Sequence, residues 1–339
     1  MPYTCRPMTD MQAVVIREHG SFDKLERAAV AMPEPRADEV RVRIRAAALN
    51  HLDTWVRRGV PGFKFPLPII PGCDGAGVVD AVGEVVAEFS AGDEVVLSPG
   101  VGHPLDRDYG ILGETRDGTC AEYIVVPREN CIAKPPNLSW EETAAFPLAF
   151  LTAWTMLVRR AGIRPGQWIL VQAAGSGIGV ASIQIARLFS CRVIATASSA
   201  EKRQKALDLG AEVALGYEDL ARNARKITGK VGVDIAVDHV GPDTWEQSVA
   251  SLRKGGSIVT CGGTSGHEIR FDVRHLFFKS LSFLGSTMGP LEDLKTVVSH
   301  MAAGRLRPVI DSVFEMDQIA DAHRRLAERA VFGKVVVKP

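Results

Sequence analysis

The segment Val171–Ala186, VQAAGSGIGVASIQIA, constrains the fold more than any other part of the chain. An apolar strand beginning near Gln167 ends at Ala173. A turn of small residues follows, with Gly175, Ser176 and Gly179, and an apolar-faced helix opens near Gly177. Small residues let the backbone approach a diphosphate, which the free N–H groups and positive dipole of the helix N-terminus then bind. Val180 stands where the last glycine of a full G-x-G-x-x-G would, so the match is weak by itself. Its setting between a strand and a helix makes it specific.

That setting is regular. From SWEETAAF onward, where Ser139 and Glu142 have capping-box spacing, strand and helix alternate. CRVIATA is a strand and AEKRQKALDLG a helix ending at Gly210. VDIAVDHV is a strand, and DTWEQSVASLR a helix with Trp245, Val249 and Leu252 on one face. GSIVTCG and LSFLGST are strands, and PLEDLKTVVSHMAAG is a helix. Such alternation predicts a parallel sheet with helices on both faces.

The first third of the chain reads as β. In EVRVRIRAAAL, Val40, Val42 and Ile44 alternate with Arg41, Arg43 and Arg45, the pattern of a strand with one buried face. GVVDAVG, GDEVVLSP and AEYIVVP are further short strands bounded by Gly and Pro, which suggests a barrel-like domain. Residues 98–119 read as a long polar loop, and the tail GKVVVKP as a strand returning to the first domain. The expected division is therefore 1–137 with 306–339 as one domain, and 138–305 as the other. Residues 1–10 read as a frayed extension.

Composition removes several function classes. The 339 residues include 40 Lys+Arg and 40 Asp+Glu, so there is no basic excess to hold nucleic acid or an anionic membrane. No apolar run approaches the ~20 residues of a membrane helix, and no signal peptide is visible. The six cysteines are scattered without a C-x-x-C pair, the pattern of reduced thiols in a cytoplasmic protein.

The end of the second strand bears on the nucleotide. A carboxylate there would hold a ribose 2′-hydroxyl. Here the chain reads ATASSAEKR, with Ser198, Ser199, Lys202 and Arg203. Hydroxyls and cations suit a 2′-phosphate, hence NADPH. Two alternatives stay open: solvated helix charges at Lys202 and Arg203, and a ribose contact from Glu201.

The motifs NHLDTWVRRG, PGCDGAGVVDAVG, GTCAEYIVVP, PLAFLTAW, GSGIGVASIQIA and RAVFGKVVVKP follow one another in order. In this the chain resembles the medium-chain dehydrogenase/reductase superfamily from about Met11 to Pro339. It is most similar to the zinc-independent quinone oxidoreductase (zeta-crystallin-like) branch, and also to proteins labelled zinc-type alcohol dehydrogenase. The resemblance implies an α/β chain: a GroES-like β-rich catalytic domain plus a doubly wound parallel-sheet Rossmann domain.

In the zinc enzymes of that superfamily the metal is held by a Cys, a His, often an adjacent Glu, and a second Cys. The first falls on Asn50, the His on Cys73 and the Glu on Asp74; the last should lie near Phe150 or Leu151. No cysteine occurs between Cys131 and Cys191, and none in the 98–119 segment that would carry a structural zinc. Catalytic zinc needs three protein ligands. Adjacent side chains on a strand point to opposite faces, so only one of Cys73 and Asp74 is expected to reach a given ion. No zinc is expected.

The resemblance also implies roles. Asn50 would be a neutral donor beside the nicotinamide ribose and substrate oxygen. Thr152 would bind the carboxamide. Gly175, Ser176, Gly177 and Ile178 would hold the diphosphate, and Ser198, Ser199, Lys202 and Tyr217 the 2′-phosphate and its ribose. Val240, Gly241, Gly262 and Thr264 would line the cofactor cleft, with Arg329 and Lys334 closing it. Trp55 would stack on a flat acceptor, replacing a Tyr and so unable to donate a hydroxyl proton; a plain core Trp is the alternative. Asp53 would hold its loop or act directly. His51 and His239 are either cofactor neighbours or structural histidines, and Cys73 a wall thiol.

Without a Lewis acid, hydride transfer to a quinone or conjugated C=C is easier than to a simple ketone. The developing charge then spreads into an enolate or hydroquinone. The expected activity is NADPH-dependent reduction of such a hydrophobic small molecule, with a proton from solvent. The alternatives are an alcohol or aldehyde dehydrogenase and a non-catalytic NADPH-binding protein. Homodimerisation through the edge strand Ser280–Thr287 is also expected.

Overall fold

β3 (Glu39–Ala48), which alternates from Val40 to Arg45, lies inside its sheet. Val40 and Val42 are fully buried and Ile44 nearly so, while Arg43 and Arg45 face solvent. The computed structural model describes residues 10–339, so the extension read over 1–10 lies, apart from Asp10, outside the described residues. The chain forms two units. One runs to Leu148 and takes back Ile310–Pro339; the other is Ala149–Val309.

In the first unit β1 (Asp10–Val15) and β2 (Glu26–Ala31) form an antiparallel pair. β3 pairs antiparallel with β4 (Asp74–Val82), which continues to β5 (Glu94–Leu97) and then β9 (Cys131–Ala133). β8 (Tyr123–Pro127) also pairs with β3. On the other side lie β17 (Lys334–Lys338), the GKVVVKP tail, and then β16 (Ile310–Glu315). The register puts both Asp74 and Val336 opposite Ala48. Two chain segments separated by most of the sequence thus meet beside one residue of β3. The helices are α1 (His51–Arg58), α2 (Trp140–Ala144) and α10 (Ile319–Ala327). Ser139 caps α2 through the expected box with Glu142. Ala144 and Ala145 pack on Ala46, Ala48, Ala76 and Val336, which ties residues beyond 137 to this unit.

The 98–119 segment is not all loop. It carries β6 (Gly100–Val101) and β7 (Gly110–Ile111), which pair antiparallel.

The first helix of the second unit begins at the unit boundary, as α3 (Pro147–Trp154). Then come β10 (Trp168–Val171), α4 (Gly177–Leu188), β11 (Arg192–Thr196), α5 (Ala200–Asp208) and β12 (Val213–Leu215). The rest is α6 (Leu220–Ile227), β13 (Val233–Val237), α7 (Pro242–Ser251), β14 (Leu252–Thr260), α8 (Val273–Phe278), β15 (Ser282–Gly285) and α9 (Leu291–Ala302). The six strands are parallel in the order β12-β11-β10-β13-β14-β15. The order reverses between β10 and β13, the point where open α/β sheets bind ligands.

Two sequence expectations shift here. The strand before the phosphate turn stops at Val171, because Ala173 takes a left-handed backbone conformation (φ 50°). Leu252 is not on the α7 face. The helix stops at Ser251 and Leu252 opens β14 opposite Val233, though it still packs with Trp245 and Val249 in one core.

Candidate active site

Within the first unit, Asn50, Cys73, Asp74 and Lys334 converge. Asn50 is the N-cap of α1, in extended backbone, and its N–H donates to Asp53 Oδ2 at 2.6 Å. The other Asp53 oxygen accepts from Gly72 N at 2.9 Å. Asp53 therefore ties the start of α1 to the chain ahead of β4 and is the loop-holding residue of this unit. Burial pushes its carboxyl up to about 6, against the pull of those two N–H groups and of Lys334.

The Asn50 amide is spent inside the unit. Its Nδ2 donates to Asp74 Oδ2 at 2.9 Å and to Cys73 Sγ at 3.2 Å. Its Oδ1 accepts from Lys334 Nζ at 2.5 Å. Lys334 Nζ also donates to Asp74 Oδ2 at 2.9 Å, while Asp74 Oδ1 accepts from Leu148 N at 2.7 Å. Cys73 and Asp74 are wholly buried and Lys334 almost so. Asn50 is thus the hub of a buried cluster, and the amide hydrogens expected to face a nicotinamide point to Asp74 and Cys73. Lys334, read from sequence as closing a cleft, lies in this cluster instead.

Cys73 and Asp74 depart from strand alternation for a definite reason. β4 begins at Asp74, so Cys73 precedes the pleat, and Gly72 (φ 100°) turns the chain just before it. Both side chains consequently reach the Asn50 amide. Burial, with Asp53 and Asp74 nearby, holds the Cys73 thiol well above its ordinary range, which is the reverse of nucleophile activation.

These residues do not fit a catalytic zinc. Zinc takes Cys, His and carboxylate donors with one open position. Here an amide replaces a thiolate, and the carboxylate oxygen is shared by an amide N–H and a resident ammonium. Among the described residues no group of three His, Cys, Asp or Glu is placed to hold a metal.

The second unit gathers its turns at the carboxyl ends of β10, β13 and β14. Ser176 caps α4, its Oγ accepting from Gly179 N at 2.8 Å. The N–H groups of Gly177 and Ile178 lie in the first turn, ahead of any intrahelical acceptor. Gly179 is required sterically: a Cβ there would lie 2.4 Å from the Ala173 carbonyl oxygen. Across the strand-order reversal, His239 Nε2 lies 2.8 Å from Ser176 Oγ. His239 is buried, its Nδ1 has no partner, and burial lowers its pKa to about 4 despite Asp238 beside it. The loop after β14 closes over the same turn. Thr264 N donates to the His239 carbonyl, and Ser265 N and Oγ to that of Val240. This brings Val240, Gly241, Gly262 and Thr264 together.

Beneath them runs a buried polar chain. Asp238 accepts from the N–H of Val240 and Gly241 and from the hydroxyls of Thr244 and Ser248. Ser248 accepts from Gln172 Nε2, and Gln172 Oε1 from Thr196 Oγ1. Thr196 Oγ1 in turn accepts from Ala173 N, in the phosphate turn. Thr152 is also buried, and its hydroxyl has no partner. Orphaned polar atoms at Thr152 and His239, unpaired helix N–H groups and a sterically required glycine together fit a nicotinamide dinucleotide.

The other sequence candidates are more dispersed. Ser199 caps α5, accepting from Lys202 N, and Arg203 Nη1 donates weakly to the Ala197 carbonyl. Ser198 is exposed, and Tyr217 is more than a third exposed just past β12. Glu201 is paired with Lys205 on the α5 surface at 2.7 Å, which engages the carboxylate that left the nucleotide reading open. Trp55 is partly buried on α1, and His51 begins the same helix. Arg329 is exposed in left-handed backbone before β17.

Nothing in the sequence marks Tyr109. Its buried hydroxyl has no partner, and burial with Glu114 and Cys73 nearby raises its pKa. Gln172 and Asp238 are not among the sequence candidates either. The one sequence signal was polarity: an amide and a carboxylate inside apolar strands need partners.

Residues 36–136 match the alcohol dehydrogenase GroES-like domain family, and residues 177–303 the zinc-binding dehydrogenase family. The chain is 33% identical to a zinc-type alcohol dehydrogenase-like protein of Schizosaccharomyces pombe, covering 97% of this chain and 99% of that protein. It is 30% identical to a probable quinone oxidoreductase of the same yeast, over 96% of each. A crystal structure described as an NAD-dependent alcohol dehydrogenase superposes with a TM-score of 0.94 at 48% identity, covering 97% of this chain and 100% of that one. With the GroES-like and parallel-sheet units both present, the chain belongs to the medium-chain dehydrogenase/reductase superfamily and is an oxidoreductase of that family.

Proposed function

We propose that this oxidoreductase transfers hydride from NADPH to a quinone or conjugated enone without a metal. One observation carries the reading: the donors at 50, 73 and 74 are already satisfied by each other and by Lys334. With no Lewis acid to stabilise a localised alkoxide, the favoured acceptors are those that spread the charge themselves. The bound nicotinamide supplies the hydride from its ring C4. The chain's part is to bind and orient: α4 and Ser176 for the diphosphate, the free Thr152 hydroxyl for the carboxamide. The 2′-phosphate form is supported by the neutral Ser198 and Ser199, by Lys202 and Arg203, and by the engagement of Glu201 with Lys205.

A second reading has its own support. The 48%-identical structure is described as NAD-dependent and as an alcohol dehydrogenase. One experiment separates the two: NADPH and NADH oxidation, after chelation, against quinones, enones and simple aldehydes. Turnover of the delocalised acceptors with NADPH is expected. Turnover of simple aldehydes alone, with NADH and added zinc, would replace the first reading with the second.

The reading includes a homodimer. β15 is a sheet edge, and next to it in sequence α8 exposes Phe277 and Phe278, whose rings pack 4.5 Å apart.

A further inference from the structure

We propose that the Lys334 ammonium is a resident counter-cation that keeps divalent metal out of the Asn50–Cys73–Asp74 centre. Replacing it with a neutral side chain would turn the centre into a site for a thiophilic metal. The inference rests on the metal-free reading above and extends it to a named residue.

Three donor-bearing side chains already converge there. The Asn50 amide nitrogen lies 3.2 Å from Cys73 Sγ and 2.9 Å from Asp74 Oδ2, so a carboxylate, a thiol and an amide face one small volume. Asp74 and Cys73 are fully buried. With Lys334 in place Asp74 has its counter-charge; without it, Asp74 would be a buried carboxylate with none, and a divalent ion held by Asp74 and Cys73 would supply it.

Lys334 blocks that outcome in two ways. Its ammonium sits on the carboxylate oxygen that a metal would use, at 2.9 Å. A second cation entering a buried site beside it would meet strong like-charge repulsion. It also fixes the sense of the Asn50 amide. Because Lys334 donates to Oδ1, the amide turns its NH2 toward Cys73 and Asp74. An N–H group cannot ligate a metal. Without Lys334 nothing holds Oδ1, and a metal taking Asp74 and Cys73 would displace the two remaining N–H bonds and let the amide present its oxygen. In that bound state Cys73 releases its proton to solvent as the sulfur–metal bond forms, and nothing is oxidised or reduced.

The test uses the full chain and cobalt(II) chloride as probe, since a thiolate–cobalt bond gives a near-ultraviolet charge-transfer band. Wild type, Lys334→Ala and Lys334→Gln are each incubated with cobalt(II), desalted and assayed for retained metal. Wild type and Lys334→Arg are expected to retain none and show no band. At least one folded neutral variant is expected to retain close to one equivalent and show the band, with Cys73→Ser in the same background abolishing it. A Cys73-dependent band in wild type would overturn the proposal, as would folded neutral variants that retain no metal. Failure of both neutral variants to fold while Lys334→Arg folds would also overturn it, by making the ammonium purely structural. No substrate is needed, so a silent acceptor panel would overturn the proposed reaction and leave this result standing.

Discussion

Lys334 and Asp74, 260 residues apart, form an ion pair of 2.9 Å in which neither side chain is more than 6% exposed. Two strands make it possible, since β4 and β17 both flank β3 and both register on Ala48. Removing one member of a buried pair leaves the other charge uncompensated in low dielectric. Lys334→Met alone, or Asp74→Leu alone, is expected to cost about 3–5 kcal/mol. The double substitution is expected to cost less than the sum. A double-mutant cycle by urea unfolding checks this, and additive losses would contradict it.

The Ser176–His239 bond joins the phosphate turn to the next strand at the sheet's reversal point. His239→Leu is expected to weaken nicotinamide-cofactor binding about two- to tenfold, the net value of one hydrogen bond. Since its pKa is lowered to about 4, the imidazole is neutral at working pH. The loss should therefore be the same at pH 6 and pH 8. Fluorescence titration with the reduced nicotinamide cofactor reads both points.

Thr196→Val keeps the shape and removes the hydroxyl that links Gln172 to Ala173 N. It leaves a buried amide oxygen and a turn N–H without partners, a cost of about 1–3 kcal/mol. Thermal unfolding should show the loss, and cofactor affinity should fall with it. An unchanged melting temperature would show that the polar chain is not holding the turn.

Gly179→Ala would drive a methyl to 2.4 Å from the Ala173 carbonyl. The turn must shift, at about 1–3 kcal/mol of strain. Affinity for the nicotinamide cofactor is expected to drop about five- to a hundredfold, and activity with it.

His323 is fully buried with neither ring nitrogen partnered, and burial, then Arg57, lowers its pKa to about 3. The unfolded chain binds this proton from about pH 6.5 downward, the folded chain only near 3. Stability is therefore expected to fall as pH drops through that window, by about 1.4 kcal/mol per unit from this group. His239 adds in the same direction. His323→Leu should flatten the decline between pH 6.5 and 5 in calorimetry; an unchanged slope would assign the acid loss elsewhere.

The sequence alone determined what depends on local order. Apolar periodicity gives the strand–helix alternation, and small residues before Gly177 give the phosphate turn. The absence of cysteine between Cys131 and Cys191 speaks against the zinc ligand set without any coordinates. Tertiary structure decided what depends on distant segments meeting. The family resemblance implies that Asn50 is a donor beside the nicotinamide, and sequence order by itself does not show which side chains it meets. Its amide is claimed by Asp74 and Lys334, which strand register delivers from far along the chain. The left-handed Ala173 and the turn at Gly72 likewise override strand patterning with a local backbone reversal. A side-chain period reports which face is buried, but only the packed sheet decides which polar groups a buried face brings together.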